Sequence, residues 1–190
     1  MAAPRLTALV VVAGCGMGFF KKLFGLGPRN PTETFPKRLV PPQVLWDHLQ
    51  RTICGIPMPS PIEALAPLGP AEEFKALNET CFVLSYPDIG LELEVNKGRM
   101  ISFLLRISEE PGEELMPGKP YARPLLLPGA LLLEPATSLT EIQKHLGTGQ
   151  QMMKDEDECI QVFESGQVCL EVAHTTEGRL IRIEGYDNLS

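Results

Sequence analysis

The feature that most constrains the fold of this chain is an internal repeat, in which residues 60–103 resemble residues 138–183. Identities at a constant spacing of 78 residues join Ser60 to Ser138, Glu63 to Glu141, Leu68-Gly69 to Leu146-Gly147, and Cys81 to Cys159. Farther along, "LEV" at 93–95 matches "LEV" at 170–172, and "GRMI" at 98–101 matches "GRLI" at 178–181. The length differences between the copies fall in predicted turns. Such a duplication predicts two copies of one folded unit.

Each copy predicts one short helix followed by a meander of three antiparallel strands. The helix would begin at the serine, with the glutamate completing a capping box, and would end at Leu-Gly, where glycine adopts the left-handed conformation. The predicted strands are Cys81–Tyr86, Leu91–Val95 and Met100–Ile107 in the first copy, and Cys159–Phe163, Val168–Val172 and Leu180–Glu184 in the second. Another helix is expected before the first copy, where Val44, Leu45, His48 and Leu49 share a helical stripe.

The predicted fold class is therefore α+β, with two tandem helix-plus-antiparallel-meander units. The expected organisation has four parts, of which the first is an apolar and basic leader with a proline-rich linker. The four parts are the leader and linker 1–42, repeat unit one 43–107, an acidic Pro/Gly-rich connection 108–137, and repeat unit two 138–190.

Period-two alternation separates the two faces of each meander. In one strand, Leu91, Leu93 and Val95 point inward while Glu92 and Glu94 point outward. In the next strand the expected inward residues are Ile101, Phe103, Leu105 and Ile107. The predicted partner-binding residues lie on the outward face or at its rim: Tyr86, Glu92, Glu94, Ser102, Leu104, Arg106, Glu171 and Arg182. This mixture of charged and apolar groups is typical of protein recognition; the alternative is a face that is solvated or that covers the other unit.

The repeat resembles a known structural group. A helix ending in Leu-Gly, a loop, and a meander with "YPDIGLELEV" (86–95) and Gly98-Arg99 at its last turn, all present twice, is similar to β-lactamase inhibitory protein. It is also similar to small outer-membrane-assembly lipoproteins of the BamE/SmpA type and to small uncharacterised bacterial proteins. The resemblance implies a protein-binding module whose open sheet face contacts a partner. It transfers no site residue, and the cysteines differ from those of the inhibitor, so inhibition of a β-lactamase is not expected.

Motifs for catalysis, metal binding and nucleic-acid binding are missing from the sequence. His48, His145 and His174 have no metal-ligand spacing, and the glycine-rich stretches follow no predicted strand. The acids of "KDEDE" (154–158) lack the alternation of a calcium loop. A net charge of −7 disfavours a nucleic-acid partner. We therefore predict a protein that is not an enzyme and needs no cofactor or metal.

The first 25 residues have two open interpretations. Val12-Ala13-Gly14-Cys15 fits the processing site of an exported lipoprotein, which would carry its lipid on Cys15. Alternatively, Met17 is the true start of a cytosolic protein. In both cases a basic amphipathic segment is expected to contact an anionic membrane surface through Phe19, Phe20, Lys21, Lys22, Leu23 and Phe24.

The remaining cysteines favour a reducing compartment. The predicted hairpin places Cys159 and Cys169 on opposite faces, which disfavours a disulfide between them. The expected location is the cytoplasm, at the membrane surface, with a membrane-anchored lipoprotein as the alternative. The predicted function is a non-enzymatic bacterial protein-binding module of the immunity or inhibitor kind. The alternative is an envelope lipoprotein that scaffolds an outer-membrane or cell-wall assembly.

Overall fold

The computed structural model describes residues 28–108, 122–154 and 157–188, and within them the chain is mainly β-sheet. In chain order the strands are β1 Leu45–Asp47, β2 Thr52–Ile53, β3 Ile56–Pro57, β4 Ser60–Pro61, β5 Glu73–Ala76, β6 Cys81–Tyr86, β7 Leu91–Asn96, β8 Arg99–Arg106, β9 Leu125–Leu127, β10 Leu131–Leu132, β11 Gln150–Lys154, β12 Glu158–Ser165, β13 Val168–Thr175 and β14 Leu180–Asp187. Two 3₁₀ helices span Ile62–Leu68 and Pro87–Ile89, and α1 spans Leu139–Leu146.

The strands form two sheets. The large sheet has nine strands in the order β11-β12-β13-β14-β8-β7-β6-β5, with β4 paired to the start of β8. The small sheet has the order β10-β9-β1-β2-β3, and its β1 runs parallel to β9. The predicted α+β class with two helix-plus-meander units is therefore wrong, because the two meanders join into one sheet.

The two copies meet edge to edge at the centre of the large sheet, where β8 pairs with β14. Leu104 lies opposite Glu184, and these residues are 80 positions apart, the spacing that also joins "GRMI" to "GRLI". A pseudo-two-fold axis therefore passes between them. Glu92 lies opposite Leu104 and Glu171 lies opposite Glu184, so these two glutamates occupy equivalent positions.

This symmetry corrects the sequence alignment of the copies. Cys81 lies opposite Asn96 and Glu158 lies opposite Thr175, so Cys81 corresponds to Glu158 and not to Cys159. Strand alternation also placed Ile101 inward, but a bulge leaves it outside the ladder and puts Met100 in the core. Ile181, 80 residues later, lies at the matching bulge of β14. Bulges change register without a distinct signal in a short sequence pattern.

The predicted strands are confirmed, although those of the second copy extend one to three residues farther. The predicted helices are only partly confirmed. Ser138 and Glu141 form the expected capping box of α1. Ser60 instead pairs with Met100 in the ladder between β4 and β8, and the helix after it is 3₁₀ with Pro67 inside. A proline lacks the N–H that an α-helix needs at that point.

The helix predicted around Val44 is wrong, because Leu45–Asp47 forms strand β1. Val44, Trp46 and His48 alternate as buried residues with exposed fractions of 4%, 1% and 7%. Period-two burial is the signature of a strand, and here it turns these three side chains towards the large sheet.

The main contact between the sheets is aromatic. The rings of Trp46 on β1 and Phe103 on β8 are 4.9 Å apart and both are buried. Phe103 lies opposite Gly185 on β14, and its ring covers the space where a side chain at Gly185 would stand. The absence of a Cβ therefore lets the central strand pair accept the ring on which Trp46 packs.

Beyond this contact, α1 packs on the inner face of the second copy. Ile142 is fully buried, and Gln143 Nε2 donates to Gln161 Oε1 of β12 at 3.1 Å. Among the helices of the described residues, none has the length and apolar character needed to cross a membrane.

We expect Gly185→Ala to destabilise the protein by about 1–3 kcal/mol, since the new Cβ would lie 2.6 Å from Cζ of Phe103 and overpack the core. Denaturant unfolding of the wild type and the variant measures the effect. Phe103→Leu is the matched control background, in which the same glycine substitution should be less destabilising. An equal loss in both backgrounds would show that Phe103 is not the cause.

Candidate binding face

The candidate site is the side of the large sheet opposite the small sheet, which we call the outer face. Cross-strand partners share a face, so the ladder places nine polar or partly apolar side chains here around the pseudo-two-fold axis. They are Glu92 and Glu94 on β7, Ser102, Leu104 and Arg106 on β8, Glu171 on β13, and Arg182, Glu184 and Tyr186 on β14.

The predicted residues are brought together here with one exception. The structure buries Tyr86 completely on the inner face, where its hydroxyl donates to the Gly69 carbonyl oxygen at 3.3 Å. The other seven lie on the outer face; Ser102 is buried and the other six are partly exposed. Sequence reasoning missed Glu184 and Tyr186 as site residues, although they continue the alternation that begins at Arg182.

One row of the outer face crosses four strands and is acidic. Glu92 lies opposite Leu104, Leu104 opposite Glu184, and Glu184 opposite Glu171. Like charges directly opposite one another destabilise a sheet. Burial, reinforced by Glu171 and Glu94, raises the pKa of the Glu184 carboxyl above its usual value, although Arg182 opposes the shift. Glu184 is therefore held in an unfavourable electrostatic environment when it is charged.

The two arginines of the outer face are paired with acids. Arg106 Nε lies 3.7 Å from Glu92 Oε1. Arg182 makes a bidentate pair with Glu158 of β12, through Nη1 and Nη2 at 2.7 and 2.8 Å. Bidentate geometry restricts both side chains, so Arg182 is the more firmly positioned of the two.

Hydrogen bonds also fix two acids of the outer face, Glu171 in this row and Glu94 beside it. Tyr186 Oη donates to Glu171 Oε1 at 3.0 Å, and Cys81 Sγ donates to Glu94 Oε1 at 3.1 Å. Burial and the bond to Glu171 raise the pKa of Tyr186 above its usual range, so this hydroxyl stays protonated as a donor. Burial and the bond to Glu94 raise the pKa of Cys81 to about 11.

The cysteines of the described residues are free thiols: Cys54, Cys81, Cys159 and Cys169. Burial raises the pKa of Cys54 and of Cys169 as well. A reactive cysteine needs a lowered pKa, so the environments of Cys54, Cys81 and Cys169 do not favour nucleophilic chemistry. Within the three described ranges, no group of three or more His, Cys, Asp or Glu side chains is arranged to hold a metal ion.

A groove of about 280 Å³ lies beside the linker and is lined by Lys37, Arg38, Leu39, Pro41, Pro70, Glu72 and Asp88. Its arginine is already bound within the chain. Arg38 pairs with Asp88, donates to the Leu68 carbonyl oxygen at 2.8 Å, and lies 5.6 Å from the centre of the Tyr86 ring. Arg38 therefore fastens the linker to the large sheet.

The residues predicted to be lipidated or to contact a membrane, Cys15, Phe19, Phe20, Lys21, Lys22, Leu23 and Phe24, lie outside the described residues. Comparison of the chain with protein-family models, with curated proteins and with solved structures gives no match.

We expect Glu184→Gln to raise the free energy of unfolding at pH 7 by about 0.5 kcal/mol, because it removes one of two opposed like charges. The raised pKa means that the folded state holds the Glu184 proton more tightly than the unfolded state does. As the pH falls through the folded pKa of Glu184, protonation removes the destabilising charge and raises the free energy of unfolding of the wild type. The advantage of the variant should therefore disappear in acid.

Unfolding by urea at pH 7 and at pH 4 measures the difference. Glu177→Gln is the control, because Glu177 is exposed in the turn between β13 and β14. A benefit of Glu184→Gln that is the same at both pH values would contradict the proposed origin.

Proposed function

We propose that this protein is a non-enzymatic protein-binding module that occupies a partner's surface in the manner of an inhibitor or immunity protein. The binding surface would be the outer face. The partner would be a protein that presents lysine or arginine side chains. The observation that carries the proposal is the charge of this face near the pseudo-two-fold axis. The outer-face residues named above, together with Glu158, comprise five glutamates and two arginines, a net charge of −3.

Charge complementarity supports the choice of partner. Glu171 and Glu184 lie directly opposite each other, and burial with mutual repulsion raises the pKa of Glu184. A cation brought between them by a partner would relieve this repulsion, and the relief would contribute favourably to the free energy of binding. Complementary charge also speeds association and excludes acidic partners.

The order of the outer face supports binding over simple solvation. Glu171, Glu94 and Arg182 are each held by hydrogen bonds from or to other strands of the large sheet. Side chains fixed before binding lose less conformational entropy when a partner arrives. Leu104, partly exposed on the axis between Glu92 and Glu184, adds apolar area at the centre.

The test begins with affinity capture from the source organism and continues with purified components, since capture alone does not locate a binding surface. The captured protein is titrated calorimetrically against three forms of the chain. We expect Glu92→Lys with Glu171→Lys to weaken binding at least tenfold, equivalent to about 1.4 kcal/mol. Higher salt should weaken wild-type binding as well, because exposed charges are screened.

The matched control is Glu134→Lys with Glu177→Lys, which makes the same charge change at exposed positions outside the outer face. Its affinity should stay within twofold of the wild type, and thermal unfolding verifies that all three forms are folded. An affinity that falls equally in both double variants would indicate a general charge effect. An affinity unchanged in the outer-face variant would place the binding surface elsewhere.

A further inference from the structure

The interface between the two sheets contains a hydrogen-bond donor and an acceptor that lack protein partners. Trp46 Nε1 and His48 Nδ1 are both inaccessible, and neither has a hydrogen-bond partner in the described part of the chain. The exposed fractions of these residues are 1% and 7%. A buried polar group left unpaired destabilises the folded state, so two such groups only two residues apart indicate a partner that is not a protein group.

The two atoms belong to neighbouring inward positions of the same chain segment. Trp46 lies in β1, and His48 follows two residues later with its N–H bonded to the Leu127 carbonyl oxygen at 3.1 Å. The two rings are 6.4 Å apart in an edge-on arrangement. The backbone of His48 is also held from the second copy, because Ser165 Oγ donates to its carbonyl oxygen at 2.8 Å. The backbone of His48 is therefore held from both sheets, and the Trp46 ring is packed on Phe103.

The protonation state of His48 suits an acceptor. Burial lowers the pKa of the imidazole below its ordinary value of 6.5, although Asp47 opposes the shift. At neutral pH the ring is uncharged, and one of its nitrogens is an acceptor. The indole Nε1 can only donate. We assign the proton of the neutral ring to Nε2, so the unpaired set is one donor, Trp46 Nε1, and one acceptor, His48 Nδ1, at the junction between the sheets.

We propose that Trp46 and His48 form an internal binding site for one water molecule, which accepts from the indole Nε1–H and donates to His48 Nδ1. Water is the smallest molecule that satisfies a donor and an acceptor together, and buried waters commonly serve buried polar groups in this way. The site would belong to the contact between the sheets and would be independent of the outer face.

The single tryptophan of the chain makes the site directly observable, because the indole Nε1–H of Trp46 gives one isolated proton resonance. In a water-selective NOE and ROE experiment on the full-length protein, we expect a cross-peak between this proton and water. Its NOE and ROE should have opposite signs, as expected for a water whose residence time is much longer than that of water in the surface hydration layer. In His48→Phe, which keeps a ring and removes the acceptor, the cross-peak should fall to less than half of its wild-type intensity.

Two controls separate a bound water from other sources of the signal. Ser60 Oγ is also buried and unpaired, and a hydroxyl in exchange with water can imitate a water cross-peak. Ser60→Ala should therefore leave the peak unchanged. Circular dichroism and the amide spectrum verify that each variant is folded, and His48→Asn, which keeps an acceptor, provides a second form if His48→Phe unfolds.

The result expected is a wild-type peak that persists in Ser60→Ala and weakens in His48→Phe. If His48→Phe does not fold, the peak should persist in His48→Asn. The proposal is overturned by an absent wild-type peak, by a peak of equal intensity in folded His48→Phe, by a peak lost in Ser60→Ala, or by a peak lost in folded His48→Asn.

Discussion

The pairing of β8 with β14 is the interaction on which the rest of this structure depends. Each copy of the repeat supplies a meander whose last strand would otherwise present an unpaired edge, and an open edge is a liability for a soluble sheet. By pairing with each other, these two strands remove both edges at once and place Leu104 and Glu184 on a pseudo-two-fold axis. The same pairing puts Phe103 across from Gly185, which allows the ring to lie over the neighbouring strand and to receive Trp46 from the small sheet. The core between the sheets and the charge pattern of the outer face both follow from this one contact.

The outer face has a different character from the core because its charges are both held in place and imperfectly balanced. Arg182 and Glu158 form a bidentate pair, whereas Glu171 and Glu184 face one another across adjacent strands. Such opposition lowers the stability of the free protein. It persists here beside a hydroxyl donor, Tyr186, that orients one of the two acids. A basic protein partner would give this arrangement a function, since its cation would offset the repulsion between Glu171 and Glu184 that the chain itself leaves in place.

Sequence reasoning was accurate where the determining interactions are local. Strands such as β6 and β7 are predicted by alternation and turn residues, and the capping box at Ser138 is predicted by spacing alone. It failed where a distant segment decides the outcome. Ser60 has the surroundings of a helix cap in the sequence, but β8 recruits it as a strand partner. Val44 and His48 fit both the helical stripe with Leu45 and Leu49 and a strand alternation with Trp46, and packing on the large sheet selects the strand. Most of the outer face was predictable, because alternation places Glu92, Glu171 and Arg182 outward. The inward position of Tyr86 was predictable too but was assigned wrongly, since Tyr86 lies two residues after the buried Leu84 and pairs with the inward Leu91.

The sequence by itself determined that this chain contains two related meanders, each with one apolar and one charged face. It did so because strand alternation and turn chemistry are properties of neighbouring residues. Only the tertiary structure decided that the meanders share one sheet, which glutamates are equivalent, and which charges oppose each other. Those relations depend on strand register across the β8–β14 junction and on the bulges at Ile101 and Ile181. Register is set by packing between segments some 80 residues apart, and short-range patterns contain no measure of it.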